Sequence, residues 1–352
     1  MSPRIQIGDR LIGEGLSTYV IAELSANHNQ DFTQAVRIIE AAKLAGADAI
    51  KLQTYTPDTI TIPSSQEYFR VSGGTLWDGK TLYDLYGEAY TPWEWQPKLK
   101  QAANDLGMDL FSSAFDATAV DFLERMGVPA HKVASFELVD IPLIETMART
   151  GKPLIMSTGM ASIEEIEEAV AAARRAGATQ IALLKCTSAY PARAEDMNLR
   201  TIPELAQRFQ VPAGLSDHTM GVAAPVAAVA LGASIIEKHL TLSRSTPGPD
   251  SAFSLEPEEF KAMVDAVRTA EKALGEVHFG LTEKEQASRR FRRSLFVVKE
   301  VKQGQLFDSE NVRSIRPGDG LHTRHLKEVL GKRAARDIDG GTPLCWELVV
   351  RP

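Results

Sequence analysis

The sequence is short of cysteine and of positive charge, and each shortage excludes a class of protein. Two cysteines, Cys186 and Cys345, are present in 352 residues. They are too few for a disulfide framework and lack the spacing of a zinc knuckle, so we expect both to be reduced packing residues. The formal net charge of −7 argues against a general binder of nucleic acid or anionic membrane, because such proteins need a broad positive field. Anionic ligands must then be bound by local groups.

The sequence also lacks long apolar runs. The opening residues MSPRIQIGD contain no apolar core of an export signal, and the most apolar stretch, around 222–236, is shorter than a membrane span and runs into the polar residues EKH. The contents of 44% hydrophobic and 24% charged residues are ordinary for a globular chain. We therefore expect a compact cytoplasmic protein with no nucleic-acid partner and no membrane partner.

Strand-like and helix-like runs alternate through the first three quarters of the sequence. TYVIAELS, FTQAVRIIEAAKLAG and DAIKLQTY show the pattern, which returns later as PLIMSTG, SIEEIEEAVAAARRAG and IALLKCTSAY. A repeated strand-then-helix order predicts parallel strands joined by crossover helices, and eight strands favour a closed (β/α)8 TIM barrel, an α/β fold, over an open sheet. The predicted strands lie near residues 19–25, 48–54, 108–115, 130–136, 153–158, 181–187, 212–216 and 234–239.

The alternation stops after Gly275. Residues 276–293 are polar and basic, and residues 294–352 have the short strands and turns of a small β-rich domain. We predict a TIM-barrel catalytic domain at 1–275, a linker at 276–293 and a β-rich domain at 294–352. The last is too small to be an independent enzyme, so we expect it to regulate the barrel, join subunits or complete its site. A long aromatic loop at 56–91 is expected either to shape the ligand pocket or only to pack against itself.

Two histidines predict a metal site at the mouth of the barrel. His218 and His239 each follow an apolar strand, and the 21 residues that separate them are about one β/α unit, so both imidazoles should emerge on neighbouring strands at the same rim. Two protein ligands leave coordination positions for water and substrate, which a Lewis-acid catalyst needs and a structural zinc site does not have. Glu23 and Glu237 are candidates for further ligands or for proton transfer. The alternative is that each histidine is a solvated or core residue.

Lysines near the strand ends predict an anionic ligand. Lys51, Lys132, Lys185 and Lys238 all occupy such positions, where a desolvated ammonium group needs an anionic partner. A phosphate or carboxylate would serve, with serine hydroxyls to position it, although each lysine could instead pair with a neighbouring glutamate. The residues alone therefore predict metal-assisted chemistry on a phosphorylated or carboxylated small molecule.

Ten segments together resemble the sialic acid synthase family over nearly the whole sequence, including its small antifreeze-like (SAF) domain at the C-terminal end. They are AELSANHNQ at 22–30, KLQTY at 51–55, FSSAF at 111–115, KVASFEL at 132–138, STGM at 157–160, LLKCTSAYP at 183–191, GLSDHT at 214–219, IIEKHLT at 235–241, GPD at 248–250 and IRPGDG at 315–320. The resemblance implies a TIM barrel followed by a SAF domain, and a transferase that condenses phosphoenolpyruvate with an open-chain N-acetylated amino sugar and releases phosphate.

The same resemblance implies roles for individual residues. His218 and His239 match the metal ligands, with Mn²⁺ the expected ion and Mg²⁺ or Co²⁺ as alternatives. Positions that hold phosphoenolpyruvate are matched by Lys51, Ser113, Lys132, Ser135, Ser188 and Ser216. Positions that face the sugar or the reacting carbons are matched by Glu23, Gln53, Tyr190, Glu237 and Asp250. Arg316 matches an arginine that enters the barrel of the partner subunit to hold an N-acetyl group, which implies a domain-swapped homodimer.

Within this family, SANHNQ and the loop LWDGKTLYDLYGEAYTPWEW are similar to pseudaminic acid synthases more than to N-acetylneuraminate synthases. The substrate implied is 2,4-diacetamido-2,4,6-trideoxy-L-altrose, which has a methyl group where N-acetylmannosamine has a hydroxymethyl group. The alternatives are an N-acetylneuraminate or legionaminate synthase, a related barrel synthase with another phosphorylated acceptor, or a non-catalytic sugar-binding protein. Ser188 departs from the asparagine that the sialic enzymes commonly have, which leaves the hydrogen bonding at that position open.

Overall fold

Eight apolar runs of the sequence form a closed barrel of parallel strands, as predicted, in the computed structural model, which describes residues 3–350. Side chains on both faces of these strands are buried, which is typical of a sheet covered by helices. Each strand pairs with the next along the chain and the eighth pairs with the first, so the barrel sheet has no open edge. In chain order the strands are β1 (Arg4–Ile7), β2 (Arg10–Gly13), the barrel strands β3 (Tyr19–Glu23), β4 (Ala49–Thr54), β5 (Asp109–Ala114), β6 (His131–Val133), β7 (Leu154–Ser157), β8 (Ile181–Cys186), β9 (Ala213–Asp217) and β10 (Ile235–His239), and then β11 (Ser294–Val297), β12 (Val312–Ile315) and β13 (Thr342–Pro343).

Helices connect successive barrel strands, and local sequence determines where they begin and end. The Asp31 side chain accepts hydrogen bonds from the backbone N–H groups of Thr33 and Gln34, at 2.7 and 3.3 Å, at the start of the first helix. Gly46 ends that helix with a φ of +89°, which glycine adopts without steric penalty. In chain order the helices are α1 (Phe32–Ala45), α2 (Pro57–Ile60), α3 (Leu82–Ala89), α4 (Gln96–Asp105), α5 (Ala117–Met126), α6 (Ile141–Ala148), α7 (Ile163–Arg175), α8 (Thr201–Phe209), α9 (Ala223–Ala230), α10 (Pro257–Leu274), α11 (Glu283–Ser288) and α12 (Leu326–Val329). Within residues 3–350, no helix is long and apolar enough to span a bilayer.

A hairpin formed by β1 and β2, which the sequence pattern did not predict, lies at the amino end of the barrel. Ile5, Ile7 and Ile12 are buried in the same hydrophobic core as the barrel strands. Arg10 forms an ion pair with Asp48, which directly precedes β4. The hairpin therefore covers the end of the barrel opposite to the strand ends on which the functional residues are predicted.

The chain divides into two compact units between Gly275 and Glu276. In the second unit, β11 pairs antiparallel with both β12 and β13, and a separate small core includes Leu295, Val297 and Phe307. The segment predicted as a linker contains the short helix α11. The second unit thus has its own hydrophobic core, as an independent domain requires.

Candidate active site

The register of the barrel aligns polar side chains near the carboxyl ends of its strands. His239 of β10 is paired with Glu23 of β3, which in turn is paired with Lys51 of β4. The same alignment continues through the pairs Gln53 with Ser113, Ser113 with Lys132, and Ser216 with Glu237. Because alternate residues of a barrel strand face the interior, these side chains meet at one mouth.

One cavity at this mouth brings together most of the residues selected from the sequence. It is lined by Lys51, Gln53, Lys132, Ser135, Tyr190, Ser216, His218, Glu237, His239 and Asp250. Glu23 and Ser113 are buried next to it. Glu23 Oε2 lies 2.7 Å from Lys51 Nζ, which donates a hydrogen bond to Ser113 Oγ at 3.3 Å. Lys51 is therefore held between an anionic partner and a hydroxyl, with its ammonium group at the floor of the cavity.

Ser188 lies close to the backbone of Gly159, a residue of the loop after β7. The Gly159 N–H donates to Ser135 Oγ at 3.2 Å. A Cβ atom at position 159 would lie 2.3 Å from Ser188 Oγ and 2.7 Å from Ser135 Oγ, so a side chain there would displace both hydroxyls. Two serine hydroxyls consequently converge beside the cavity, and hydroxyls of this kind can donate to the oxygens of an anionic ligand.

Two of the lysines selected from the sequence do not line the cavity. Lys238 is fully buried and pairs with Asp217. Its expected position at the mouth is wrong, because on β10 it alternates with Glu237 and His239, whose side chains face the interior. Lys185 donates to the carbonyl of Cys186 at 2.6 Å. For Lys238 the structure thus favours the ion-pair alternative, although with an aspartate rather than with a glutamate.

Arg316 is exposed in the second unit, directly after β12. Its expected role in holding an N-acetyl group therefore stays a prediction.

The imidazoles of His218 and His239 lie side by side, with ring centroids 5.3 Å apart. His218 Nδ1 is 3.0 Å from the carbonyl oxygen of Thr187, which favours the tautomer with the proton on Nδ1 and leaves the Nε2 lone pair available. His239 Nδ1 is buried and has no hydrogen-bond partner in the described part of the chain. Burial lowers the pKa of His239 well below its usual value, so this ring is neutral. Neutral imidazoles are the form that binds metal ions.

This histidine pair fits a divalent cation. An ion about 2.1 Å from one nitrogen of each ring would lie about 3 Å from each ring centroid, so rings with centroids 5.3 Å apart can share one ion. No group of three or more His, Cys, Asp or Glu side chains among the described residues could hold a metal. An ion with two protein ligands keeps positions for water and substrate, as catalysis requires. Burial lowers the pKa of His218, but the neighbouring Cys186 outweighs burial and leaves that pKa raised, so protons compete with metal at this ring.

Two buried carboxyl groups beside the lysines have opposite pKa shifts. Burial raises the pKa of Glu23 to about 7, against the opposing effect of Lys51. Burial acts on Glu237 in the same direction, but Lys132 and Lys51, at 4.0 and 3.6 Å, outweigh it and lower the pKa of Glu237. Glu237 is therefore ionised at neutral pH, whereas Glu23 is partly protonated. Such a pair provides an acid and a base within one site.

Two titratable residues of the cavity were not selected as site residues from the sequence. Glu137 follows β6, and burial raises its pKa to about 7 although Lys132 opposes this. None of the residues that the structure describes forms a hydrogen bond with its Oε2. Cys186 is a free thiol, as expected, and its Sγ lies 3.9 Å from His218 Nδ1 at the wall of the cavity. Their places at the ends of β6 and β8 were the only sequence signal for either residue.

An apolar wall, the side of the cavity built mainly from the loop at 56–91, faces the charged groups. Tyr55 packs edge to face against Tyr86 and Phe115, with ring centroids 5.5 and 5.1 Å apart. Trp77 Nε1 donates to the carbonyl of Pro249 at 2.9 Å, which ties this loop to the segment after β10. The wall is completed by Ile60, Val71, Leu82, Leu85 and Ala89. Of the two sequence-based expectations for the loop, the structure supports the one in which it shapes the pocket.

The fold and this cavity define a TIM-barrel protein with a charged ligand site at the carboxyl ends of its strands. The model of the NeuB family matches residues 38–279, and the model of the SAF domain matches residues 292–350. The chain belongs to the NeuB family. The resemblance expected from the motifs, and the barrel-plus-SAF architecture, are thereby confirmed.

Individual relatives cover nearly the whole chain. The pseudaminic acid synthase of Campylobacter jejuni (strain 81-176) is 48% identical over 326 residues, which are 93% of this chain and 95% of that protein. The pseudaminic acid synthase of Helicobacter pylori is 46% identical over 333 residues, 94% of this chain and 98% of that protein. The crystal structure of the spore coat polysaccharide biosynthesis protein SpsE of Bacillus subtilis is 33% identical, with a TM-score of 0.67 and coverage of 99% of both chains.

Proposed function

We propose that this chain condenses phosphoenolpyruvate with 2,4-diacetamido-2,4,6-trideoxy-L-altrose and water, releasing phosphate and forming pseudaminate. The observation that carries the proposal is a single cavity lined by two neighbouring imidazoles, two lysines and Glu237, with Glu23, a carboxyl group of different pKa, buried beside it. Relatives named as pseudaminic acid synthases, at 46% and 48% identity over more than nine tenths of the chain, support the choice of reaction.

The charged side of the cavity is suited to phosphoenolpyruvate, which carries a phosphate and a carboxylate. Lys51 and Lys132 supply two ammonium groups, and the Lys132 Nζ is oriented by Ser157 Oγ at 2.6 Å and by the Val133 carbonyl at 2.9 Å. The hydroxyls of Ser135, Ser188 and Ser216 can add hydrogen bonds to the same ligand. We assign Lys51, Lys132 and these three serines, together with Ser113 next to Lys51, to the binding of phosphoenolpyruvate. Lysine binds such anions as a point charge, and the serines fix their orientation.

The two imidazoles would hold a divalent cation, proposed as Mn²⁺ with Mg²⁺ or Co²⁺ as alternatives, and the chemistry that such an ion supplies is polarisation of the aldehyde oxygen of the sugar. The chain's own groups then handle the protons. Carbon 3 of phosphoenolpyruvate attacks the aldehyde carbon, the enol π electrons form the new C–C bond, and the aldehyde oxygen takes a proton from Glu23.

Water adds to carbon 2 and gives a proton to Glu237, whose Oε2 is buried, has no hydrogen-bond partner within residues 3–350 and can therefore accept it. Phosphate leaves with the electron pair of the carbon–oxygen bond and takes the proton held by Glu237, while the new hydroxyl at carbon 2 gives its proton to Glu23 and becomes the ketone, so that both carboxyl groups return to their starting state. Oxygen from labelled water should therefore be absent from the released phosphate, and its presence there would contradict this route.

The apolar wall supports an acceptor with a methyl terminus. With phosphoenolpyruvate on the lysines and the aldehyde beside the histidines, the far end of an extended sugar reaches the remaining side of the cavity, where Ile60, Val71 and Leu82 lie. A hydroxymethyl group there would lose hydrogen bonds to water, whereas a methyl group would not. One such group is worth only about 1–3 kcal/mol of discrimination, so polar contacts to the acetamido groups must contribute as well.

The test is phosphate release from phosphoenolpyruvate by purified protein with Mn²⁺ and each of three sugars: the L-altro diacetamido sugar, N-acetylmannosamine and the legionaminate precursor. We expect the highest kcat/KM with the first, and no release without sugar or after chelation. A preference for either of the other two would assign the chain to that synthase instead. Binding of a sugar without phosphate release under any condition would favour a non-catalytic sugar-binding protein.

We also propose a domain-swapped homodimer acting in the cytoplasm, in which the exposed Arg316 holds the N-acetyl group of a sugar bound by the partner barrel. The match of RPGDG to the family motif supports this assignment. Mixing an Arg316→Ala protein with a His239→Ala protein should restore part of the activity, because a hybrid dimer contains one site with both residues intact. Absence of recovery after demonstrated subunit exchange would contradict a shared site.

A further inference from the structure

Ser25 has an unfavourable backbone conformation at the edge of the active site. It follows β3, is 1% exposed and has a φ of +47°, in the left-handed region that favours glycine. A buried serine keeps such a conformation only where the surrounding structure holds it there, and such residues cluster at functional sites. The conformation of Ser25 therefore points to a specific interaction of its side chain.

The Ser25 hydroxyl lies between two residues that line the cavity. It donates a hydrogen bond to Asp250 Oδ2 and accepts one from Gln53 Nε2 at 2.8 Å. The same Gln53 Nε2 also donates to Glu23 Oε1 at 3.1 Å, and the N–H of Ala26 donates to Asp250 Oδ2 at 3.3 Å. A continuous chain of hydrogen bonds thus runs from Glu23 through Gln53 and Ser25 to Asp250.

These bonds determine which atoms remain for a ligand. Asp250 Oδ2 is already used twice, and both donated bonds of Gln53 come from Nε2. Among the described residues, neither Asp250 Oδ1 nor Gln53 Oε1 has a hydrogen-bond partner, and both side chains line the cavity. The pair consequently presents two acceptors to a ligand that carries donors, such as the hydroxyl and amide N–H groups of an N-acetylated amino sugar.

We infer that Ser25 is a positioning residue for the amino-sugar subsite, which orients the carboxylate of Asp250 and the amide of Gln53 through its hydroxyl. The unfavourable backbone conformation is retained because it places Oγ between these two side chains. The inference rests on the proposed function, since it takes the amino sugar as the ligand. Ser25 has no direct contact with the lysines assigned to phosphoenolpyruvate: its chain of hydrogen bonds reaches Lys51 only through Gln53 and Glu23, whereas Ser113 and Ser157 contact Lys51 and Lys132 directly.

Two variants separate the hydroxyl from the backbone strain. Ser25→Ala loses the hydroxyl and keeps the unfavourable φ, whereas Ser25→Gly loses the hydroxyl and relieves the strain. For both we expect the KM for the amino sugar to rise about 10- to 100-fold, the effect of losing a hydrogen bond to a charged group, while the KM for phosphoenolpyruvate changes less than about twofold. The Tm of Ser25→Gly should not fall below that of the wild type.

Gln210→Gly is the matched control for strain relief. Gln210 has a φ of +53° at the end of α8, near the amino end of β9. This variant should keep both KM values and should not lower Tm. A double variant of Ser25→Ala with Asp250→Asn should cost less than the sum of the two single changes, because both act on one unit.

The outcomes distinguish the inference from the proposed function. If the wild type releases phosphate with the sugar and both Ser25 variants keep its KM within about twofold, Ser25 does not position the subsite and the inference is wrong. If both KM values and the Tm deteriorate together, Ser25 has only a structural role, which also overturns it. If the wild type is inactive with every amino sugar, the proposed function is wrong and the inference falls with it.

Discussion

Buried charges at the amino end of the barrel are paired within the protein, whereas several polar atoms buried at the carboxyl end have no partner. At the amino end, Asp48 accepts hydrogen bonds from the Val20 N–H and from Arg268, both at 2.9 Å, and from Arg10. All three contacts join β4 to other parts of the fold: the strand beside it, the last helix of the barrel unit and the N-terminal hairpin. The pairing here stabilises the closed barrel.

At the carboxyl end, buried polar atoms are less completely paired. Glu237 Oε2, Glu137 Oε2 and His239 Nδ1 are buried and find no hydrogen-bond partner among residues 3–350. Buried polar groups in folded proteins are nearly always satisfied, and one left unpaired is expensive. Within residues 3–350, His131 Nδ1 at the start of β6 is also buried without a partner, so the difference between the two ends lies in the carboxyl groups: Asp48 is fully paired, whereas Glu237 and Glu137 keep an unpaired oxygen at the mouth, where a ligand is expected to complete it.

The largest effect should follow from removing one of the two neighbouring imidazoles. His239→Ala is expected to lower kcat by about 10³-fold or more and to abolish metal retention, because a single imidazole cannot hold the cation beside the substrate. Phosphate release and the metal content after gel filtration measure the two effects. His322→Ala, at an exposed position of the second unit, is the matched control and should change neither.

The circular dichroism spectrum of His239→Ala should remain that of the wild type, since Ala leaves the strand backbone intact. Stoichiometric metal and full activity in this variant, after chelation and reloading, would show that His239 is not a ligand that the reaction needs. It would also break the contrast between the two ends, because the unpaired atoms at the mouth would then need another explanation.

Much of this contrast could be predicted from the sequence. The eight strands and the histidine pair follow from the repeated strand-then-helix order, because equivalent positions after neighbouring strands must meet at one rim. Lys238 was predicted at the mouth, although its side chain faces away from the barrel interior. Successive residues of a strand face opposite sides, and which of them face inward is known only from the pairing of β10 with its neighbours. The role inferred for Ser25 could not be read from the motif SANHNQ that contains it, since a positive φ and a contact with Asp250 across 225 positions are properties of the folded chain.

A smaller effect, on stability rather than on activity, is expected at the amino end. Asp48→Asn keeps the size of the side chain but removes the charge that pairs with Arg10 and Arg268. We expect the free energy of unfolding to fall by about 2–3 kcal/mol, because two guanidinium groups lose their anion in a partly buried position. Urea unfolding measures this, while kcat and both KM values should remain those of the wild type.

Asp265→Asn is the control for that stability effect. Asp265 forms an exposed ion pair with Lys261 at 2.7 Å on α10, and such a pair contributes only about 0.3–0.5 kcal/mol. If the two substitutions lowered the free energy of unfolding equally, partial burial would not strengthen the ion pairs of Asp48 at the amino end. A loss of turnover in Asp48→Asn at unchanged stability would show that charge at this end serves the reaction, contrary to the division of roles between the two ends.

The smallest expected effect concerns His28, a buried histidine near the mouth. Like Asp48 at the amino end, it is fully paired within the protein. Its Nε2 lies 3.0 Å from Thr91 Oγ1 and its Nδ1 accepts from the Gln30 N–H at 3.0 Å, so both nitrogens are satisfied and neither is left for a metal. Burial lowers the pKa of His28 to about 4. Between that value and the unfolded value of about 6.5, only the unfolded chain binds the proton, so stability is complete above pH 6.5 and falls as the pH decreases.

For the wild type, this one residue should reduce the free energy of unfolding by about 2 kcal/mol between pH 7.5 and pH 5, from about 1.4 kcal/mol per pH unit across that window. His28→Gln can retain a donor and an acceptor at the same place, and its loss of stability over this pH range should be smaller by that amount. Urea midpoints at the two pH values, compared with those of His322→Gln, measure the difference. If His28→Gln keeps the full wild-type pH dependence, His28 is already protonated in the folded state or is not buried as the structure has it.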